Sequence, residues 1–394
     1  MDFRDTSEQA AFRQQVRDFL TGELPAGWGS PDFHLPFAER MAFYREWAKK
    51  LGRKGWMAPA WPKEYGGAGM SIMEQFIFNE EVAKARAPAV GGIGVNFAGP
   101  TIILYGTEEQ KQEHLPPILA GDVVWCQGFS EPGAGSDLAS LQTRAVRDGD
   151  DYVINGQTTW TSGAQFAQKM ILLARTDPEA PKHKGISYFL LDMKSPGIAI
   201  QPLVNIAGVP GFNEVFFDNV RISSKNLLGE ENRGWYIGTA TLDFERSSIG
   251  AAWATAQGVE DLAHYAREHP DRDRGSALLH NPAVRWELAE RSIEAEVARL
   301  LSYRVVSLQS RGLVPNYEAS IAKLYTSELQ QRIAATGVKI AGLYGLLDRH
   351  SKGAPLKGRL MRAYLWSVAA TIGGGTSEIQ RNIIATRGLG LPRD

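Results

Sequence analysis

The chain has 394 residues, of which 43 are Lys or Arg and 44 are Asp or Glu, so the formal net charge is −1. That balance excludes binding to nucleic acid or to an anionic membrane through bulk charge. A hydrophobic fraction of 43%, with 10 Trp, 12 Tyr and 16 Phe, is ample for packed cores, and the length suits two or three of them.

A single cysteine, Cys126, excludes an internal disulfide framework and any Cys-rich zinc or iron–sulfur site, which fits a reducing compartment and by default the cytoplasm. The first residues carry mixed charge, and no window reaches the roughly 18 apolar residues of a membrane span.

From Thr6 to about Ala120 the apolar pattern is helical. Phe12, Val16, Phe19 and Leu20 follow a 3.6-residue period, and Phe37, Met41, Tyr44, Ala48 and Leu51 repeat it. Thr6-Ser7-Glu8-Gln9 and Thr107-Glu108-Glu109-Gln110 read as capping boxes that open helices.

Between Asp122 and about Lys225 the apolar runs shorten and become β-rich, as in Val123-Val124-Trp125, Tyr152-Val153-Ile154, Met170 to Leu173, Ile186 to Leu191 and Val215 to Phe217. Turns such as Asp148-Gly149 and Ser195-Pro196-Gly197 separate them. No helices alternate with these strands, which disfavours a parallel doubly wound sheet and favours a β-barrel or sandwich of about seven strands.

From Glu231 the helical period returns, with Ile293, Val297, Leu300, Leu301, Val305 and Leu308 on one face. Breaks near His269 to Pro282, Arg311 to Pro315 and Ser351 to Pro355 separate helices of about 25 to 30 residues and predict a bundle of four helices. The expected class is α+β: an N-terminal helical domain (1–121), a central β domain (122–230) and a C-terminal helical bundle (231–394).

Familiar catalytic motifs are mostly missing. The seven histidines include no His-x-x-x-His pair, so no metal site is expected, and Gly133-Ala134-Gly135-Ser136 lacks the Lys-Ser/Thr of a phosphate-binding nucleotide loop. Gly128 to Gly133 has one residue too many for a nucleophile elbow.

Two glycine-rich segments are more informative. Ser130-Glu131-Pro132-Gly133-Ala134-Gly135-Ser136-Asp137, followed by Asn155-Gly156 and Trp160-Thr161-Ser162, would let a flat polar ring lie against exposed backbone with Trp160 as an apolar wall; it would equally suit a β-turn and a core Trp. Gly373-Gly374-Gly375-Thr376-Ser377-Glu378-Ile379-Gln380-Arg381 runs three glycines into a helix start, with Ser377 and Gln380 as the expected capping box. That arrangement favours a phosphate, though a plain helix-to-helix turn would look the same.

Taken together, these segments resemble the acyl-CoA dehydrogenase family. They match its Thr/Ser-Glu-Pro-x-Ala-Gly-Ser-Asp signature, its downstream Asn-Gly-x-x-x-Trp-x-Thr/Ser and its closing Gly-Thr-Ser-Glu-Ile-Gln-Arg. Asn213 to Arg221 and Asn226 to Gly229 match the strand and loop before the bundle, so the resemblance covers nearly the whole chain.

The resemblance implies non-covalent FAD between the β domain and the bundle, an acyl-CoA substrate, and a carboxylate that takes the α-proton as hydride leaves the β-carbon for the flavin. By position, Phe129, Ser130, Gly135, Ser136, Trp160 and Ser162 would contact the flavin region, and Thr376 and Glu378 the ribose and phosphates. Ser136, Asp243 and Arg246 would contact the substrate, the last two its pantetheine arm.

Many members carry their base immediately before the closing Gly-Thr, where this chain has Gly374. Leu242-Asp243-Phe244-Glu245-Arg246 instead resembles the Leu-x-x-Glu-Arg of the branched-chain (isovaleryl-CoA) and long-chain members, whose base lies on a helix and which usually carry a small residue opposite it. The implied base is Glu245, with its pKa raised by burial, and the N–H of Gly374 helps hold the thioester oxygen.

The Arg-x-x-Phe-Gly stretch that reaches a neighbouring subunit's FAD is reduced here to Arg272, Arg274 and Gly275. Lys339, before Ala341-Gly342, stands where a cross-subunit Gln is usual, and Tyr344 replaces a small polar residue. These departures resemble the bacterial branch acting on bulky acyl-CoAs such as steroid side chains or dicarboxylates, some of whose members pair two unlike chains as α2β2. The family implies a dimer or tetramer, or that unlike pair, with electron-transfer flavoprotein as electron acceptor. Same-fold acyl-CoA oxidases, flavin monooxygenases and a nucleic-acid-associated relative are the alternatives. Monooxygenases lack the carboxylate base, and the nucleic-acid relative carries basic extensions not seen in this sequence.

Overall fold

Helices begin where the sequence offers caps. The backbone N–H groups of Gln9 and Gln110 donate to the hydroxyls of Thr6 and Thr107, and both Gln side chains return to the Thr N–H, so both expected capping boxes form. A third box, Ser71 with Glu74, opens a helix that periodicity alone did not single out.

The computed structural model describes residues 5–30, 33, 35–245, 250–270 and 275–392, and at 37, 38, 242–245, 250 and 251 it describes the backbone. Among the described residues there are eleven α-helices. They are α1 (Ser7–Glu23), α2 (Phe37–Lys54), α3 (Ile72–Lys84), α4 (Gly99–Tyr105), α5 (Glu108–Ala120), α6 (Gly234–Glu245), α7 (Gly250–Glu268), α8 (Pro282–Gln309), α9 (Tyr317–Ala341), α10 (Arg359–Ala370) and α11 (Ser377–Ile383). None is long and apolar enough to cross a membrane. The strands are β1 (Trp125–Gly128), β2 (Arg144–Asp148), β3 (Asp151–Thr158), β4 (Lys169–Arg175), β5 (Ile186–Asp192), β6 (Ile198–Leu203), β7 (Phe212–Ser223) and β8 (Leu227–Leu228).

The chain forms two compact units. One comprises residues 1–36, 70–89 and 246–394, and the other residues 37–69 and 90–245. In the second unit, eight strands rather than about seven form a sheet ordered β6-β7-β3-β2-β4-β5-β8, with β1 pairing parallel to β4. Most pairs are antiparallel, and β2 meets β4 only at Arg144 with Arg175.

Side chains from both halves of the sheet share one core. Tyr152 of β3 and Phe189 of β5 meet edge to face at 5.0 Å among Ala145, Ile154, Met170, Leu172 and Val215. Alternate residues of β4 and β5 point the other way toward α6, where Leu173 is the first atom group a Cβ on Gly238 would meet. Burial on both faces explains why these two strands read as continuous apolar runs. Cys126 lies fully buried in this core, and burial pushes its thiol up to about 12.

In the first unit, α7 to α10 pack around Val259, Leu262, Ala298, Leu329, Ile333 and Leu360, while α1 and α3 close on α8 through Phe12, Phe76, Ile77 and Val306. A buried ionic cluster ties α1 to α3. Arg13 donates to Glu81 at 2.6 Å and also binds Glu80 and Asp5, and Arg17 reaches Glu81 at 2.7 Å.

Burial acts to push the Glu81 carboxyl up, but hydrogen bonds from Arg17 and Arg13 outweigh it and hold the group below its ordinary 4.5. A carboxylate depressed by folding contributes stability above its unfolded pKa and loses it as pH falls through the folded value. The melting temperature is therefore expected to fall as pH drops below about 4.5. In Glu81→Gln the protein should be less stable at pH 7 and its acid dependence shallower. Identical acid slopes in the two proteins would show that this cluster carries none of the sensitivity.

Candidate active site

The predicted cofactor residues fall in two sets, one in each unit. In the β-sheet unit, β1 delivers the chain into the turn Phe129 to Asp137. Phe129 is buried with its ring edge-on to Tyr188 at 5.7 Å, while Gly135 and Ser136 are exposed.

Glu131 holds this turn together. Its buried carboxylate accepts the backbone N–H groups of Gln142 and Thr143, each at 2.7 Å, and its own backbone exchanges two hydrogen bonds with Ala134. From β4, the buried Arg175 guanidinium donates to the carbonyls of Ala139 at 2.6 Å and Leu141 at 3.1 Å. Neither Glu131 nor Arg175 was assigned a role from sequence. Glu131 lies inside the recognised signature, whereas Arg175 carries no local signal.

Trp160 follows β3 in an unusual conformation. Its φ is +59°, a region that costs a non-glycine residue of order 1–3 kcal/mol and persists only where the surroundings enforce it. The enforcement is visible on both sides: Thr159 N–H donates to the Ser130 carbonyl at 2.8 Å, and Thr161 N–H to the Asn213 carbonyl at 3.0 Å. The indole is 61% exposed, standing edge-on to Phe212 at 5.9 Å, and Ser162 is exposed beside it. An apolar wall held at a fixed angle next to exposed small residues suits a flat ring; the core Trp of the plainer reading does not form.

In the helical unit, α10 ends at Ala370 and the glycines turn the chain back into α11. Gly374 and Gly375 have φ of +66° and +89°. Lys323 of α9 donates to the Gly375 carbonyl at 2.6 Å, and Gln380 Nε2 to that of Gly374 at 3.1 Å.

The expected Ser377–Gln380 capping box does not form. Thr376 is the cap instead, accepting from the N–H of Ile379, because the Gln380 amide is committed to the glycine carbonyls. Ser377 Oγ and Gln380 Oε1 are consequently buried without a partner among the described residues. Glu378 is exposed, and backbone and Thr376 hydrogen bonds lower its carboxyl pKa.

Beside this turn lies a groove of about 750 Å³ lined by Gln331, Tyr364, Ser367, Thr371, Thr376 and Ser377. In the helical unit, orphaned buried polar atoms, a left-handed glycine turn and an adjoining groove suit ribose and phosphate groups such as those of FAD; in the β-sheet unit, the Trp160 wall and the Ser130 to Ser136 turn suit a flavin ring.

The remaining predicted residues are placed as follows. Lys339, near the end of α9, pairs with Glu287 of α8 in its own chain, and Gly342 terminates α9 with φ +58°. Asp243 and Glu245 form the last turn of α6, described by its backbone. Arg246, Arg272 and Arg274 lie outside the described residues.

Comparison with known proteins identifies the family. Models of the N-terminal, middle and C-terminal domains of acyl-CoA dehydrogenase match residues 6–122, 126–220 and 232–389. Acyl-CoA dehydrogenase FadE26 of Mycobacterium tuberculosis is 41% identical over 357 residues, covering 89% of this chain and 88% of that protein. Among solved structures, the ChsE4-ChsE5 complex from Mycobacterium tuberculosis superposes over all of both chains with a TM-score of 0.88 and 38% identity. The Tcur3481-Tcur3483 steroid ACAD does so with 0.86 and 38%. The chain therefore belongs to the acyl-CoA dehydrogenase family and is an FAD-dependent oxidoreductase acting on acyl-CoA.

Proposed function

We propose that the protein carries out α,β-dehydrogenation of a bulky acyl-CoA, with Glu245 as the base that takes the α-proton. Two separate observations carry this reading: a glutamate stands on the last turn of α6, and a left-handed glycine stands at 374. At φ +66° that position disfavours any side chain, which leaves Glu245 as the carboxylate available in the two positions the family uses.

When bound, FAD supplies the acceptor for the hydride that leaves the β-carbon. The chain's own groups perform the rest. Glu245 removes the α-proton, and the Gly374 N–H donates to the thioester oxygen as negative charge develops there. Phe129, Ser130, Gly135, Ser136, Trp160 and Ser162 hold the flavin end, and Thr376 and Glu378 the ribose and phosphates. Ser136, Asp243 and Arg246 hold the substrate, the last two at its pantetheine arm.

A steroid-derived acyl group and an unlike partner chain are the preferred substrate and assembly. Their support is the likeness to a structure named a steroid ACAD and to a two-chain complex, together with the weakened Arg272 to Gly275 and Lys339 positions. Electron-transfer flavoprotein is the proposed acceptor for reoxidation.

The purified yellow protein, alone and with candidate partner chains, is to be mixed without oxygen with straight, branched and steroid acyl-CoAs while flavin absorbance is followed. Steroid acyl-CoAs are expected to bleach the flavin most completely. Bleaching by short straight chains alone would overturn the substrate reading, and bleaching by none would overturn dehydrogenation. A homo-oligomer with one FAD per chain would overturn the unlike pair.

A further inference from the structure

The proposed base ends α6, so its aim depends on what fixes that helix. Two sets of contacts join α6 to β5 within the β-sheet unit. At the helix start, the Asn232 N–H donates to Ser187 Oγ at 2.8 Å, and a Cβ on Gly234 would sit 2.4 Å from the Ser187 carbonyl carbon, so the helix rests directly on the strand.

One turn before Glu245, the second set is a chain of hydroxyls. Thr241 Oγ1 lies 2.9 Å from Thr101 Oγ1 and 3.5 Å from the hydroxyl of Tyr188, and all three residues are fully buried. Thr101 also reaches the Phe97 carbonyl at 2.7 Å, and Thr241 the Ile237 carbonyl at 3.0 Å. Phe97 belongs to a π-helical turn, Gly94–Ala98, that leads into α4.

The protons can be counted. If Thr101 donates to Phe97, Thr241 donates to Thr101; if Thr101 donates to Thr241, Thr241 donates to Ile237. In both of these arrangements the threonine protons are spent and Tyr188 donates to Thr241, although the Thr241–Tyr188 contact by itself allows either hydroxyl to donate. Burial raises the pKa of the Tyr188 hydroxyl, which keeps that proton in place.

Apolar contacts between a helix and a sheet permit slippage, whereas directional bonds among buried hydroxyls do not. Rotating a helix by about 10° moves an atom about 6 Å from its axis by roughly 1 Å, and a misplacement of that size costs on the order of 10²-fold in rate. We infer that Thr241, with Thr101 and Tyr188, is a positioning residue for the reaction: the hydroxyl chain fixes the rotation of α6 and so the aim of Glu245. The inference rests on the reading of Glu245 as the base.

The test uses the FAD-loaded protein and an acyl-CoA that bleaches it. Thr241→Val keeps the shape and removes the hydroxyl; it is expected to slow flavin reduction by about 10- to 100-fold with little change in the substrate concentration at half-saturation. Thr241→Ser should recover to within about threefold, and Thr101→Val, which leaves α6 untouched, should lose rate in the same way. Amides 241–245 of Thr241→Val should also exchange hydrogen faster in the absence of substrate.

Ile154→Val, a fully buried position of the β core outside this hydroxyl chain, serves as the stability control and should keep its rate despite a lower melting temperature. Unchanged rate and exchange in Thr241→Val, failure of the serine to recover, or a rate loss in Ile154→Val proportional to its lost stability would each overturn the inference. Glu245→Gln run in parallel separates the two claims. If it reduces flavin normally, the base reading fails; if it is inactive while Thr241→Val and Thr101→Val are normal, only the positioning role fails.

Discussion

Glu245→Gln is expected to slow flavin reduction by about 10²- to 10⁴-fold while FAD stays bound, since a general base commonly contributes that much. Glutamine preserves volume and hydrogen-bonding length but cannot accept the α-proton, so substrate binding should change little. The double change Glu245→Gly with Gly374→Glu should restore part of the rate. Full restoration is not expected, because φ at 374 is +66° and a side chain there carries strain of order 1 kcal/mol or more. A stopped-flow comparison with the best substrate decides the matter: near-normal reduction by Glu245→Gln would remove Glu245 from the chemistry.

The second large effect is expected from Glu131→Ala. Removing this buried carboxylate leaves the N–H groups of Gln142 and Thr143 without acceptors, and two such losses cost about 3 kcal/mol. The turn bearing Gly135 and Ser136 should loosen and release FAD. The check is a thermal melt followed by FAD fluorescence, in which flavin release should move to a markedly lower temperature. Glu131→Gln, which keeps one acceptor, should fall between. If Glu131→Ala melts and releases FAD as the parent does, the turn is held by something else.

What the sequence disclosed depended on whether the cause was local. Capping boxes at Thr6 and Thr107 need four consecutive residues, and both were legible. The doubly buried strands β4 and β5 announced themselves as apolar runs. β2 and β6 did not, because most of their residues face solvent and alternate with polar groups. The sequence pattern places the cap of α11 one residue late, because Gln380 turns to the Gly374 carbonyl six residues back and the Ser377 N–H meets the Thr371 carbonyl instead.

Near the candidate site, the two glycine-rich segments and the Leu242 to Arg246 stretch behind the proposed base were readable because each is a short contiguous pattern. The left-handed Trp160 was not, since its conformation comes from hydrogen bonds to Ser130 and Asn213, the latter more than fifty residues away in the chain. Lys323, Arg175 and the Thr101–Thr241–Tyr188 chain were equally hidden. Their roles arise from pairings across long stretches of sequence that no local pattern records.

The buried thiol of Cys126 has a practical corollary. As the chain's one cysteine, sealed inside the β core with its ionisation pushed far above neutrality, it offers electrophiles almost no thiolate. A cysteine substituted at an exposed position would be the sole target for a maleimide dye or a spin label. The protein can thus be labelled at one chosen point without first removing its native cysteine, and fluorescence or distance spectroscopy could follow its motions during turnover.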